Sequence, residues 1–189
     1  MKKNLMNVVL IGLVLVFASC ETKRNEDSKD VAEDTNKENL EDSDLKKDSE
    51  FAVEAADGGL FEVQLATLAL TKSTAPQVKQ FAQMMVDDHT KANNELKTLA
   101  GQKSIALPDV MSEKCQNKYY DLDQKKGNDF DREYIDLMVK DHKDDIDKFE
   151  KEADKGNDAD VKSWASGKLE TLRHHLTEAE RIQNELKNK

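Results

Sequence analysis

Three histidines and one glutamate fall where the surrounding sequence is otherwise apolar. His89, His142 and His175 each lie on a stripe of apolar residues that recurs every three or four positions, which is typical of the buried face of an α-helix. Glu62 interrupts an apolar face in a fourth segment. One inward glutamate and three inward histidines would form a mixed oxygen and nitrogen site for one divalent metal, with Zn, Fe, Cu or Mn as candidates.

The same residues allow a second interpretation, a polar layer in the core that binds no metal. A single histidine on an apolar face is usually a hydrogen-bonded core residue, and three of them could bond to one another. A buried Glu62 is costly without a partner, so it requires either histidine protons or a metal ion. The sequence leaves both interpretations open.

Two aspartates directly precede histidines of the stripes. Asp88 and Asp141 are candidate hydrogen-bond acceptors that would orient the metal ligands, although an aspartate at such a position commonly faces solvent. His174 precedes His175 and points about 100° away from it on a helix, so we expect His174 to be solvated.

Four long helices are predicted to carry these residues. The apolar spacing, with Gly and Asx residues at the breaks, places them at about 50–72, 76–101, 129–154 and 158–186. The first and last pairs are joined by short loops, so each pair is an antiparallel hairpin. About 28 residues, with a short helix near 109–125, separate the two hairpins. This connectivity predicts an all-α, ferritin-like four-helix bundle with one long crossover.

The depths of the residues along the helices agree for three of the four. His89 and His142 each lie about thirteen residues into helices that should be parallel, and Glu62 lies within one turn of that level. His175 is about one turn, or roughly 7 Å, away from the common level, and Leu172 lies nearer to it.

Short internal matches indicate a repeat. Residues 78–82, VKQFA, match residues 161–165, VKSWA, at an offset of 83. Residues 84–89, MMVDDH, match residues 137–142, LMVKDH, at an offset of 53. The first match is the one that a duplicated hairpin requires.

The first 20 residues have the build of a secretory leader. Two lysines precede an apolar run of about thirteen residues, which is too short for an ordinary membrane-spanning helix. The exit, residues 17–20 with sequence FASC, is similar to the bacterial lipobox. This predicts a signal peptide over 1–19 and a lipid anchor at Cys20, whose partner is the membrane. The alternative is a plain signal peptide followed by a chance cysteine.

Residues 21–50 carry 12 acidic and 6 basic residues, with no aromatic residue, Gly or Pro. Such a segment buries little apolar surface, so we interpret residues 20–50 as the lipidated cysteine and a disordered acidic tether, and 51–189 as the folded domain. The tether is either a solvated spacer or a sorting signal. Glu21 stands where some bacteria use Asp to retain a lipoprotein in the inner membrane, which favours the outer membrane.

Charge and composition exclude several classes of protein. The chain has 29 Lys and Arg against 39 Asp and Glu, a net charge of −10, and no basic cluster for nucleic acid. Aromatic residues are only 5% of the chain, which argues against a β-sandwich or barrel. If Cys20 is lipidated, Cys115 has no partner for an internal disulfide. No protein partner is indicated.

Short motifs occur in order through the region 51–189: Glu62-Val63, Leu65-Ala66, Val78-Lys79-x-Phe81-Ala82, Met85-Val86-x-Asp88-His89, Leu107-Pro108, Phe130-Asp131-x-x-Tyr134, Met138-Val139-x-Asp141-His142 and His175-Leu176. In these motifs the region resembles the bacterial ferritin-like family catalogued as domain of unknown function 4142, whose members are often labelled outer membrane proteins. The resemblance implies a helical bundle in the bacterial envelope and no established activity.

The chain departs from iron-storing bundles at the positions of their ligands. Di-iron proteins use Glu-x-x-His pairs, whereas Val86 and Leu172 stand three residues before His89 and His175. This argues against a bridged di-iron centre. The sequence therefore predicts a lipid-anchored envelope protein of unestablished activity, whose bundle is a binding or structural module that could hold one divalent metal. The alternatives are a metal-dependent redox or stress-protection enzyme and a purely structural scaffold.

Overall fold

The computed structural model describes residues 26–41 and 44–188. This part of the chain contains six α-helices and no strand, so the predicted all-α class is confirmed. The proposed signal peptide and Cys20 lie outside the described residues. The helices are α1 (Ser28–Asn39), α2 (Leu45–Lys72), α3 (Pro76–Lys103), α4 (Glu113–Asp123), α5 (Gly127–Lys155) and α6 (Ala159–Lys187). None of these helices is both long enough and apolar enough to cross a bilayer.

Two pairs of long helices form hairpins that pack along their lengths. Residues 73–75 join α2 to α3, and residues 156–158 join α5 to α6. The residues between α3 and α5 form the long connection, which includes α4. The helix ends lie within five residues of the predicted ones, because apolar spacing and the Gly and Asx residues of the breaks determine them locally.

Side-chain pairs between the hairpins show how the four long helices run. Helix α3 is antiparallel to α6, since residues progressively earlier in α3 meet residues progressively later in α6: Lys103 with Asp158, Glu95 with Lys168, and Asp88 with His175. Helix α2 is likewise antiparallel to α5, as the pairs Glu54 with Lys148 and Glu62 with His142 show. Helices α3 and α5 are therefore parallel, as the long connection predicts.

Each hairpin is fastened to the other by a buried aspartate near the start of its first helix. Asp131 of α5 accepts hydrogen bonds from the backbone N–H groups of Thr74 (3.2 Å) and Ala75 (3.1 Å), and from the Thr74 hydroxyl (2.8 Å). Asp48 of α2 accepts two backbone N–H groups at the start of α6, those of Asn157 and Asp158. Both carboxylates cap donors that a helix N-terminus leaves unpaired.

The main hydrophobic core lies between the four long helices on one side of the histidines. Its largest fully buried members include Tyr134, Phe61, Phe130, Leu65, Met85, Ile135, Met138 and Ile182. A smaller cluster on the other side is built around Phe149, Ala165, Leu169 and Leu172. The polar residues of interest are thus enclosed by apolar layers above and below.

The prediction of a disordered tether over 20–50 is wrong for residues 28–39 and 45–50, which are helical. Helix α1 packs on α2, and Leu40, the residue after α1, packs in a cluster with Ala52 and Ala56 of α2. Ala32 within α1 is also buried. The Asn36 side chain donates to the Ala106 carbonyl (2.9 Å) and accepts from the Ala106 N–H (2.7 Å). Composition alone could not show that the polar side chains of α1 satisfy the backbone of a segment 70 residues away.

Helix α4 is attached to α2 through a buried carboxylate. Asp57 accepts hydrogen bonds from the Ser112 N–H (2.6 Å) and hydroxyl (2.7 Å), and Ser112 caps α4. Cys115 is a buried free thiol beside this pair, and burial raises its pKa to about 11. Cys115 is therefore a packing residue of low reactivity, since the thiolate is the reactive form.

Candidate metal centre

The three histidines of the apolar stripes come from three helices and meet inside the protein. His89 of α3 is 7% exposed, and His142 of α5 and His175 of α6 are fully buried. One ring nitrogen from each lies within 4.8 Å of the other two. The ring centroids are 5.2–5.6 Å apart, so no other side chain separates them. A group of this kind could hold a metal ion.

The sequence left His175 about one turn from the level of the other histidines, and side-chain direction explains why the rings nevertheless meet. Side chains on a helix lean toward its N-terminus. Because α5 and α6 are antiparallel, His142 and His175 lean toward each other along the axis. Their rings approach to 3.3 Å between His142 Nε2 and His175 Nδ1.

Hydrogen bonds fix which nitrogen of each ring carries the proton in this pair. His142 Nδ1 lies 3.0 Å from the carbonyl oxygen of Met138, which can only accept, so Nδ1–H is the donor. His175 Nε2 lies 2.9 Å from the Asp88 carboxylate and donates to it. In the neutral rings, the two nitrogens that face each other therefore both carry lone pairs.

The third histidine, His89, also has one ring nitrogen without a proton. His89 Nδ1 lies 2.9 Å from Glu62 Oε2 and donates to it. Its other nitrogen, Nε2, is buried and has no hydrogen-bond partner in the described part of the chain. The three rings thus offer Nε2 of His89, Nε2 of His142 and Nδ1 of His175, and each opposite nitrogen is held by an acceptor.

Burial keeps the three histidines neutral at physiological pH. It lowers the pKa of His89, His142 and His175 to about 4, because the imidazolium form is poorly solvated there. Neutral imidazole is the form that binds metals, so no proton has to be displaced at pH 7.

Glu62 is fully buried, and its position is that of an acceptor for histidine. Its Oε2 accepts from His89. Its Oε1 lies 3.5 Å from Nδ1 of His142, but that N–H is directed at Met138, so Oε1 has no hydrogen bond within residues 26–41 and 44–188. Burial raises the pKa of Glu62 to about 7. The structure brings Glu62 to the histidines as predicted, but through Nδ1 atoms that already carry protons.

The two aspartates predicted to orient the ligands differ in their positions. Asp88 is half-buried and accepts from His175, which belongs to the other hairpin, and not from its neighbour His89. Asp141 contacts no histidine among its described partners and pairs with Lys118 at 3.5 Å. His174 is exposed, as expected.

Sequence reasoning missed one acidic residue of the site, Asp145. It lies beside Glu62 and His89 in the same cleft, and burial, reinforced by the charge of Glu62, raises its pKa to about 7. The repeat contained the signal, because Asp145 is 83 residues after Glu62 and therefore occupies the equivalent position of the second hairpin.

Fold and site together define an all-helical protein with a buried cluster of three histidines flanked by carboxylates. Residues 30–182 match the family model described as Domain of unknown function (DUF4142), and this match covers most of the chain. The chain belongs to that family. No curated protein and no solved structure matches it. The matched range includes most of α1, in agreement with its packing on the long helices.

Proposed function

We propose that this chain is a lipid-anchored protein of the bacterial cell envelope whose four long helices form a ferritin-like bundle that binds one divalent metal ion. His89, His142 and His175 are the ligands. Glu62 and Asp88 orient two of the rings and balance the charge of the ion. The proposal concerns binding, and it assigns no reaction to the site.

This proposal rests mainly on two ring nitrogens, His142 Nε2 and His175 Nδ1, whose lone pairs face each other. Two unprotonated nitrogens 3.3 Å apart repel unless a proton or a metal ion lies between or beside them. A proton is disfavoured at neutral pH, because burial lowers the pKa of both rings to about 4. A metal ion bound to both rings and to the unpartnered Nε2 of His89 would satisfy all three nitrogens.

The chemistry of the donors favours a transition metal. Three imidazole nitrogens suit Zn²⁺, Cu²⁺ or Fe²⁺ better than Mg²⁺ or Ca²⁺, which prefer oxygen ligands. A carboxylate that accepts a hydrogen bond from a ligand histidine is a common partner of metal sites, and it makes the imidazole more basic. Glu62 on His89 and Asp88 on His175 both have this arrangement.

The connectivity of the helices supports a ferritin-like bundle. Two antiparallel hairpins joined by one long connection place α3 parallel to α5, as in that class. Val86 and Leu172 stand where a di-iron protein would have carboxylates. We therefore infer a site for one ion.

Elemental analysis of the purified protein after exposure to Zn²⁺, Cu²⁺, Fe²⁺ or Mn²⁺ tests the metal. We expect about one ion per chain for at least one metal, and His142→Ala should reduce this below about 0.1. His174→Ala is the matched control, because it removes the adjacent exposed histidine of α6 and should leave the content unchanged. Wild-type protein with less than about 0.1 ion per chain of every metal would overturn the proposal.

The membrane anchor is supported by residues 1–20, and its test is independent of the metal. Metabolic labelling with palmitate should mark the wild-type protein in bacterial cells, and the outer-membrane fraction should contain it. Cys20→Ser should abolish both. Cys115→Ser, which removes the other cysteine, should change neither. Persistence of label in Cys20→Ser would exclude the proposed anchor.

A further inference from the structure

We propose that the cleft beside the histidines admits a small neutral molecule whose nitrogen or oxygen lone pair reaches the metal ion. This inference rests on the proposed metal site, and it adds that the ion keeps one position open for a ligand from outside. Three protein ligands and one open position are typical of zinc sites that act on small molecules.

The cleft is enclosed by all four long helices. Its volume is about 110 Å³, and it reaches from the surface to His89, His175 and Glu62. Its apolar walls come from Ala55, Ala92, Phe149, Trp164 and Leu172. A molecule inside this cleft would therefore contact apolar walls along its length and the histidine cluster at one end.

Three buried polar atoms of residues that line this cleft have no hydrogen-bond partner among the described residues. One is Nε1 of Trp164 in the apolar wall. The two next to the histidine cluster are Nε2 of His89, whose residue is 7% exposed, and Oε1 of Glu62, whose residue is 2% exposed. Unpaired polar atoms at this depth are uncommon in folded proteins. A metal ion satisfies the His89 nitrogen, and a ligand that donates a proton would satisfy the carboxylate oxygen.

The cleft is open partly because Gly58 has no side chain. Gly58 lies in the middle of the 28-residue helix α2, where glycine is unfavourable by about 0.5–1 kcal/mol relative to alanine. A Cβ added to Gly58 would have no atom within 4 Å, so close packing does not require glycine there. The missing side chain instead leaves room in the cleft.

The size and charge of the cleft restrict the class of ligand. An engineered cavity of about 150 Å³ holds benzene, so a cleft of 110 Å³ fits a ring of about five atoms. Glu62, Asp88 and Asp145 line it and would repel an anion. Two lysines also line it: Lys168, which is paired with Glu95, and Lys91, which is exposed, so the three carboxylates still outnumber the cations. A neutral azole or a neutral oxygen ligand of similar size fits these constraints.

Titration of the Co²⁺-loaded protein with imidazole at pH 8 tests the inference by visible absorption, without any assay of activity. We expect the bands of bound Co²⁺ to change as imidazole binds in the wild-type protein. Gly58→Leu should weaken imidazole binding at least tenfold and leave Co²⁺ affinity within about twofold. Gly167→Leu is the control, since Gly167 is also helical and open but does not line the cleft.

The outcomes separate the two proposals. Failure of Co²⁺ to bind would overturn this inference, and failure of Zn²⁺, Cu²⁺, Fe²⁺ and Mn²⁺ as well would overturn the metal site itself. Equal imidazole affinities in the wild-type, Gly58→Leu and Gly167→Leu proteins would overturn the cleft as the route while leaving the metal site intact. Acetate binding as tightly as imidazole would overturn the preference for a neutral ligand.

A second measurement uses only the wild-type protein, so it does not depend on whether Gly58→Leu folds. 4-Phenylimidazole has the same donor but is too large for about 110 Å³, so it should bind at least tenfold more weakly than imidazole. Equal affinities for the two azoles would contradict the inference.

Discussion

The two hairpins, α2–α3 and α5–α6, share one scaffold and differ in their chemistry. Helices α2 and α5 end 83 residues apart, at Lys72 and Lys155, and α3 and α6 begin 83 residues apart, at Pro76 and Ala159. The same offset relates Asp48 to Asp131, the two buried carboxylates that cap the opposite hairpin. The architecture is therefore repeated down to individual hydrogen bonds.

The site does not follow the repeat. The first hairpin supplies one histidine, His89, and both carboxylates that accept from histidine, Glu62 and Asp88. The second hairpin supplies the facing pair of nitrogens, from His142 and His175.

Only one pair of acidic site residues is shared by the two halves, Glu62 and Asp145. The positions equivalent to His142 and His175 are Gly59 and Ala92, and the position equivalent to His89 is Leu172. A duplicated frame can thus keep its caps and its core while each half acquires its own polar residues. Because the two hairpins differ, the site contains three histidine nitrogens. Two identical hairpins would instead supply their ligands in equivalent pairs.

The largest expected effect tests whether the two caps are equivalent. Asp48→Ala and Asp131→Ala should each lower the free energy of unfolding by about 3 kcal/mol, because each leaves helix N-terminal N–H groups without a charged acceptor. Urea denaturation measures both. Asp129→Ala, an exposed change in the first turn of α5, should cost less than about 1 kcal/mol. If the two losses of unfolding free energy differed by more than about 2 kcal/mol, the two caps would be equivalent in geometry but not in their contribution to stability.

The next effect concerns the asymmetry of the acceptors. Asp88→Ala should weaken metal binding about 10–100-fold, because His175 loses the carboxylate that holds its Nε2–H. Asp141→Ala is the matched control on the second hairpin and should leave the affinity within about twofold, since Asp141 pairs with Lys118. Competition with a chromophoric chelator measures both affinities. An equal loss of metal affinity in both variants would mean that both hairpins supply a carboxylate that orients a ligand histidine.

Much of the scaffold could be predicted from the sequence, because local signals determine it. Apolar spacing gives the four long helices, and the Gly and Asx residues at the breaks give their ends. Helix α1 could not be predicted, since its polar residues are satisfied by the connection near residue 106, and that contact depends on the tertiary structure.

The candidate site could be predicted as a set of residues but not as a hydrogen-bond network. His89, His142, His175 and Glu62 were identifiable, because polar residues interrupt apolar stripes. The partner of Asp88 could not be identified, because it depends on how α3 and α6 align. Asp145 could have been found from the repeat, because it lies 83 residues after Glu62. The short internal sequence matches alone did not identify it as part of the site.

A third prediction uses Glu152, which stands where the first hairpin has the buried Ala69. Burial, and then the charge of Asp48, raise the pKa of Glu152 to about 7 from an ordinary 4.5. An acid whose pKa is raised in the folded state favours folding below its unfolded pKa, and this contribution is lost as the pH rises through about 7.

Glu152→Gln should therefore make the protein more stable than wild type at pH 8, with the advantage disappearing near pH 4.5. Urea denaturation at pH 4.5, 6 and 8 measures the trend. Glu150→Gln, an exposed change on the same helix, should show no such dependence. If the free energy of unfolding changed with pH in the same way for the wild-type and Glu152→Gln proteins, a raised pKa of Glu152 would be contradicted.

The smallest effect concerns two adjacent glycines of α2, which stand where the second hairpin has Asp141 and His142. Gly58→Ala should raise the free energy of unfolding by about 0.5–1 kcal/mol, because a Cβ there meets no atom and alanine favours the helix. Gly59→Ala should lower it, because its Cβ would overlap the side-chain amide of Asn93 on α3. Urea denaturation of the two variants should give opposite signs. Gains in both would mean that Asn93 moves aside at little cost, and that close contact between α2 and α3 is not what keeps Gly59 in the first hairpin.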